Sequence, residues 1–174
     1  MKRIIFPFVL FLAGVLVMPQ EGLTQSRPEK NGPVITQAWA KSSGRLGTVL
    51  KLYIEANDPD ADMLRIATVI DKGGTGHHPT DWTFIRPGDR RHLIGYLQWN
   101  TLGSKSGWID EWTHLTIQVS VFDKAGNESN VVVFPFTFET GGLRPKAAAP
   151  FDKGDIPRLG YVTTEIRGTT DAHP

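Results

Sequence analysis

A chain of 174 residues with no cysteine, 18 glycines and 12 prolines excludes a disulfide scaffold and reads as many short strands separated by turns. Its 19 lysines and arginines stand against 18 acidic residues, which leaves neither the basic field that nucleic acid requires nor an acidic solvating tail. Nucleic acid is not an expected partner.

The chain opens on Lys2 and Arg3, followed by an apolar run from Ile4 to Met18 and small residues between Gly22 and Ser26. This is the pattern of a secretory signal peptide, and it predicts a mature, secreted or periplasmic protein that begins near Gln25. The run is 15 residues long and contains Pro7, short of the roughly 20 apolar residues of a spanning helix. If retained instead of cleaved, it would anchor the domain at a membrane, the one membrane contact expected. No cysteine follows it, which rules out an acylated lipoprotein thiol. Residues 1–28 are therefore read as signal and spacer, 33–140 as one domain and 141–174 as a Gly/Pro/Ala-rich tail.

The domain begins with a strand-like segment at Val34–Ala40. Leu50, Leu52, Ile54 and Ala56 then alternate with Lys51, Tyr53 and Glu55, which predicts a strand with one face in a core. A turn at Asp58-Pro-Asp-Ala-Asp62 leads into Leu64, Ile66, Thr68 and Ile70. Segments at Asp81–Arg86 and His92–Trp99 follow, and Leu115, Ile117, Val119 and Val121 repeat the alternation. Asn130–Glu139 is the last of seven predicted strands. Beyond Gly141-Gly142 the patterning stops, apart from strand-like composition between Gly160 and Arg167, so the tail is expected either to dock as an extra edge strand or to stay mobile.

The run Val119-Ser-Val-Phe-Asp-Lys-Ala-Gly-Asn-Glu-Ser129, with the apolar stretch Val131 to Phe138 after it, resembles the last hairpin of bacterial immunoglobulin-like, fibronectin III-like and cadherin-like modules. Asp58-Pro-Asp-Ala-Asp62 is similar to their second-to-third strand turn. The resemblance covers about 110 residues and implies an all-β fold, a single seven-stranded immunoglobulin-like antiparallel sandwich. Its last strand would lie at an edge, where Pro135 is tolerated because no neighbour needs the missing N–H.

That topology implies two ends of different chemistry. One gathers Asp58, Asp60, Asp62, Asp123, Asn127 and Glu128 beside Arg90 and Arg91. Hard oxygen ligands at this density suit calcium, whereas the same residues are also ordinary turn formers. A loop of EF-hand type starting at Asp58 is excluded, because Met63 would stand where glycine is needed and Val69 where the bidentate Glu belongs. The other end collects Trp82, Trp99, Trp108 and Trp112 with His77, His78 and Asp81. Two or three of these indoles are expected to plug the open end of the sandwich, and the sharper alternative is that Trp82, Trp108 and Trp112 form a ligand-binding surface for a glycan or protein. A zinc site at His77-His78 would need a third ligand such as Asp71, Asp81 or His92.

No motif points to catalysis. Gly103-Ser-Lys-Ser-Gly107 places Lys105 where a nucleophile elbow needs serine, no His-Glu-x-x-His or phosphate loop occurs, and Asp110-Glu111 reads as a polar turn. The sequence therefore predicts an exported, non-catalytic binding or adhesion module of the cell envelope with an envelope or extracellular protein or glycan as partner, and no cofactor other than the calcium already considered. Two alternatives remain: an assembly subunit joined by strand addition from the tail, and a small envelope-polymer hydrolase.

Overall fold

The computed structural model describes residues 31–73, 76–103, 109–141 and 145–166. The segment read as signal and spacer, residues 1–28, and Trp108 lie outside these. The described residues form ten strands: β1 (Val34–Trp39), β2 (Ser43–Gly44), β3 (Val49–Asn57), β4 (Met63–Lys72), β5 (Gly76–His77), β6 (Asp81–Phe84), β7 (His92–Asn100), β8 (His114–Asp123), β9 (Val132–Phe138) and β10 (Arg158–Val162). The seven predicted segments appear as β1, β3, β4, β6, β7, β8 and β9. Among the described residues no helix is long and apolar enough to cross a membrane.

The strands form two sheets, one ordered β1-β3-β7-β10 and the other β2-β9-β8-β4-β5, with β6 also paired to β4. Period-two alternation decides which side chains face inward. β3 turns Leu50, Leu52, Ile54 and Ala56 into the core, β7 adds Leu93, Leu97 and Trp99, and β8 adds Leu115, Ile117, Val119 and Val121. Each leucine, isoleucine or valine among these contributes about 1.5–3 kcal/mol on removal from water, before entropy is counted.

Two short strands depart from an all-antiparallel arrangement. β2 runs parallel to β9 and β10 parallel to β7. The first arises because the chain after β1 crosses from one sheet to the other without reversing. At β9, the amides of Thr137 and Glu139 donate to the carbonyls of Ser42 and Gly44. Pro135 shares their orientation but lies past the end of β2, so its missing N–H interrupts no ladder.

The tail is the larger departure. It crosses the outer face of the first sheet, where Phe151 is buried against Tyr53 with ring centroids 5.4 Å apart. It then enters the first sheet as β10 and delivers Val162 and Ile166 into the core. Leu159 fills a socket over Gly95, where an added Cβ would stand 2.5 Å from the leucine side chain. The indole N–H of Trp99 donates to the carbonyl of Thr164 at 3.0 Å, and Asp81 Oδ2 accepts from the amides of Thr163 and Thr164 and from the Thr163 hydroxyl. Instead of hanging from the sandwich as a linker, the tail closes one side of it between β6 and β7. The opposite side is closed by Asn130, whose Oδ1 accepts from the Ile35 amide and whose Nδ2 donates to the Ile35 carbonyl.

Candidate functional site

The loops between β3 and β4, β6 and β7, and β8 and β9 share one end of the sandwich. The Asp58 amide donates to the Arg91 carbonyl at 2.9 Å, the Met63 amide to the Arg90 carbonyl at 3.3 Å, and Met63 is in register with Asp123. Asp58, Asp62 and Asp123 are thus brought together, while Asp60 points to solvent. The oxygens of the two buried carboxylates already have donors. Asp58 accepts from the amides of Asp60 at 2.9 Å and Asp62 at 3.2 Å. Asp123 accepts from the amide of Asn127 at 2.8 Å and from its side chain at 2.7 Å. This is turn stabilisation by aspartate side chains, and among the described residues no group of three His, Asp or Glu is arranged to hold a metal. Of the expected calcium ligands, Asp58 and Asp123 therefore accept from donors of their own turns, whereas Asp62 Oδ1 is buried with no hydrogen-bond partner among the described residues. Arg91 donates to the Pro59 carbonyl at 2.9 Å, so its guanidinium is also committed to the turn.

Asp62 is the electrostatically costly member. Its carboxyl is held above the usual 3.8 by burial first, then by its hydrogen bond with Asp58 and by repulsion from Asp123 and Asp58, with Lys124 opposing. The folded state therefore binds this proton more tightly than the unfolded chain does. Stability from this group is full at low pH and falls as pH rises from about 3.8 through the raised value. Asp62→Asn keeps a donor for Asp58 and removes the repelling charge. The variant is expected to melt above wild type at pH 7 and to converge with it below about pH 4, which a pH series of thermal melts would check.

Of the four indoles grouped by sequence, the three described ones do not share one surface. Trp99 is 1% exposed and belongs to the core. Trp112 is 63% exposed, in the turn before β8. Its backbone is left-handed, with φ at 69°, a conformation that costs a bulky residue about 1–3 kcal/mol. Trp82 is 40% exposed and lies mid-sheet, opposite Ala67, which pairs with Ser120 of β8. Six residues of β8 separate that row from His114, so Trp82 and Trp112 stand about 20 Å apart along the strands. Of the third ligands considered for zinc at His77-His78, His92 bonds Asn57 at the opposite end, Asp81 caps the tail, and Asp71 is the cross-strand partner of His77.

An aromatic surface exists elsewhere, on the outer face of the second sheet. Phe122, Arg65 and Phe84 form one cross-strand row, and Ser120, Ala67 and Trp82 the next. The Arg65 guanidinium lies 4.0 Å over the Trp82 ring and 5.7 Å from Phe122, while Trp82 and Phe122 meet edge to face at 5.5 Å. Phe84 is 71% exposed. The residues that sequence reasoning missed, Arg65, Phe84 and Phe122, carried a usable signal: Trp82 and Phe84 are two apart, and Phe122 continues the outward set Thr116, Gln118 and Ser120.

A second concavity lies on the first sheet. The tail and the outer residues of β3 and β7 enclose a trough of about 400 Å³, floored by Tyr53, Tyr96 and Phe151 and lined by Lys51, Lys146 and Lys153. The Lys51 ammonium sits 4.3 Å from the Tyr96 ring centroid. No periodicity reveals this trough, because half of it comes from a segment without alternation.

Strand order and register define an immunoglobulin-like β-sandwich. No protein-family model matches the chain, and no curated protein matches it. Among solved structures, the chain is similar to the PKD domain of an M14-like peptidase from a Thermoplasmatales archaeon, at 16% identity and a TM-score of 0.41, over 63% of this chain and 98% of that one. It is also similar to the CARDB domain of a Pyrococcus furiosus protein solved in complex with di-metal ions, at 7% identity and a TM-score of 0.35, over 63% and 94%.

Proposed function

We propose that this chain is an exported, non-catalytic binding module of the cell envelope that holds a glycan or protein against the outer face of its second sheet. The observation that supports this reading is the pair of exposed rings Trp82 and Phe84 beside the half-buried Phe122, with Arg65 stacked on the indole. Rings held by a sheet lose little entropy on contact, and an arginine pinned between two of them adds a fixed donor array. The chemistry on offer there is ring surface and one guanidinium, neither a nucleophile nor a general base at neutral pH.

The rival readings have less behind them. Strand addition in trans would require β10 to leave β7 and to withdraw Val162 and Ile166 from the core. Of the adjacent acids, Glu111 accepts the Thr140 amide at 2.8 Å, a structural task. The double variant Trp82→Ala/Phe84→Ala is expected to bind envelope fragments at least tenfold more weakly, since each lost anchor is worth about 1–2 kcal/mol. Co-sedimentation before and after protease treatment of the fragments reads the loss and separates glycan from protein. Unchanged retention by a folded double variant would end this reading.

A further inference from the structure

We propose that the trough between the tail and the first sheet is a binding site for a phosphate group carried on a sugar or on a lipid headgroup. Three ammonium groups, from Lys51 on β3 and from Lys146 and Lys153 on the tail, line it against the single carboxylate of Asp152. Among the described residues no ion pair ties down any of the three lysines. Like charges gathered from segments about 100 residues apart repel one another, and a bound dianion removes that repulsion.

The trough is a built feature of the fold. Phe151 is buried on Tyr53, Tyr53 packs on Tyr96 at 5.4 Å, and Tyr96 in turn carries the Lys51 ammonium over its ring. The segment that carries Lys146 and Lys153 is thereby held through Phe151 against the strands that carry Lys51 and Tyr96.

The lining selects within anions. Lysine acts as a point charge, and no arginine fork lines the trough to favour a planar carboxylate, so a tetrahedral group with several acceptor oxygens fits best. A volume of about 400 Å³ exceeds what bare phosphate needs and falls within the range of small-ligand sites, which leaves room for the attached sugar or headgroup. This site is on the opposite sheet from Trp82, so it stands or falls separately from the aromatic face.

The test is a titration of the full mature chain with inorganic phosphate, with glucose 6-phosphate, and with phosphatidylcholine vesicles with and without phosphatidic acid. Saturable binding is expected to the sugar phosphate or to the phosphatidic acid vesicles, tighter than to inorganic phosphate. Lys51→Gln/Lys153→Gln should weaken it roughly tenfold. Lys41→Gln/Lys124→Gln, which removes the same charge outside the trough, should leave it within about twofold. Binding to the sugar phosphate identifies a soluble or polymeric glycan source, and binding to vesicles alone identifies a headgroup. No saturable binding to any probe, or equal weakening in the two double variants, overturns the proposal.

Discussion

Truncation after Gly141 is expected to unfold the domain or lower its melting temperature by roughly 10 °C or more. The tail supplies Ile166 and Val162 to the core and Phe151 to the face of the first sheet. Loss of Ile166 alone resembles an isoleucine-to-alanine change in a core, about 2–5 kcal/mol, against a total of about 5–15 kcal/mol for an ordinary domain. Truncation also leaves the Trp99 indole without its acceptor, empties the socket over Gly95 and exposes an edge of β7. Gly95→Val is the companion experiment with the whole chain present. Its Cβ would stand 2.5 Å from Leu159 and 2.8 Å from the Pro157 carbonyl, so it should displace the tail and reproduce much of the loss. Thermal melts and urea midpoints of both proteins measure this. A truncated chain with an unchanged midpoint would show that β1 to β9 suffice and that the tail is an accessory.

Trp99→Ala is the point substitution with the largest expected effect, about 3–5 kcal/mol. Its ring is one of the largest fully buried side chains and sits where β7 meets the tail. Removal opens a cavity that the surrounding strands, fixed by their ladders, cannot close. Trp99→Phe separates the two roles, because it retains most of the volume and forfeits only the hydrogen bond to Thr164, about 1 kcal/mol. Equal losses in the two variants would mean that the hydrogen bond, not the volume, holds the tail in place.

Trp99 also shows where sequence reading succeeds and where it stops. Its inward position follows from alternation with Leu93 and Leu97, so its place in the core was legible. Its acceptor, 65 residues later, was not. The end loops behave likewise. The grouping of Asp58, Asp62 and Asp123 follows from sandwich topology, but which donors their oxygens meet depends on turn geometry: the amides of Asp60 and Asp62 donate to Asp58 and that of Asn127 to Asp123, while Asp62 Oδ1 has no hydrogen-bond partner among the described residues. The indoles were grouped by the loops they flank. Trp82 lies instead on a sheet face, because β6 pairs with the middle of β4 and not with its end.

By itself the sequence determined the all-β class, seven of the ten strands among the described residues, their inward faces and the turn chemistry at one end. All of these are local consequences of a two-residue side-chain period and of residues suited to turns. Only the tertiary structure decided that the tail completes the sandwich, that Arg65, Trp82, Phe84 and Phe122 share a face, and that Lys51, Lys146 and Lys153 line one trough. Those depend on which outward side chains from distant segments meet. Alternation says only that a residue points out of the core, and what it then faces is set by strand order, register and the path of the chain between strands.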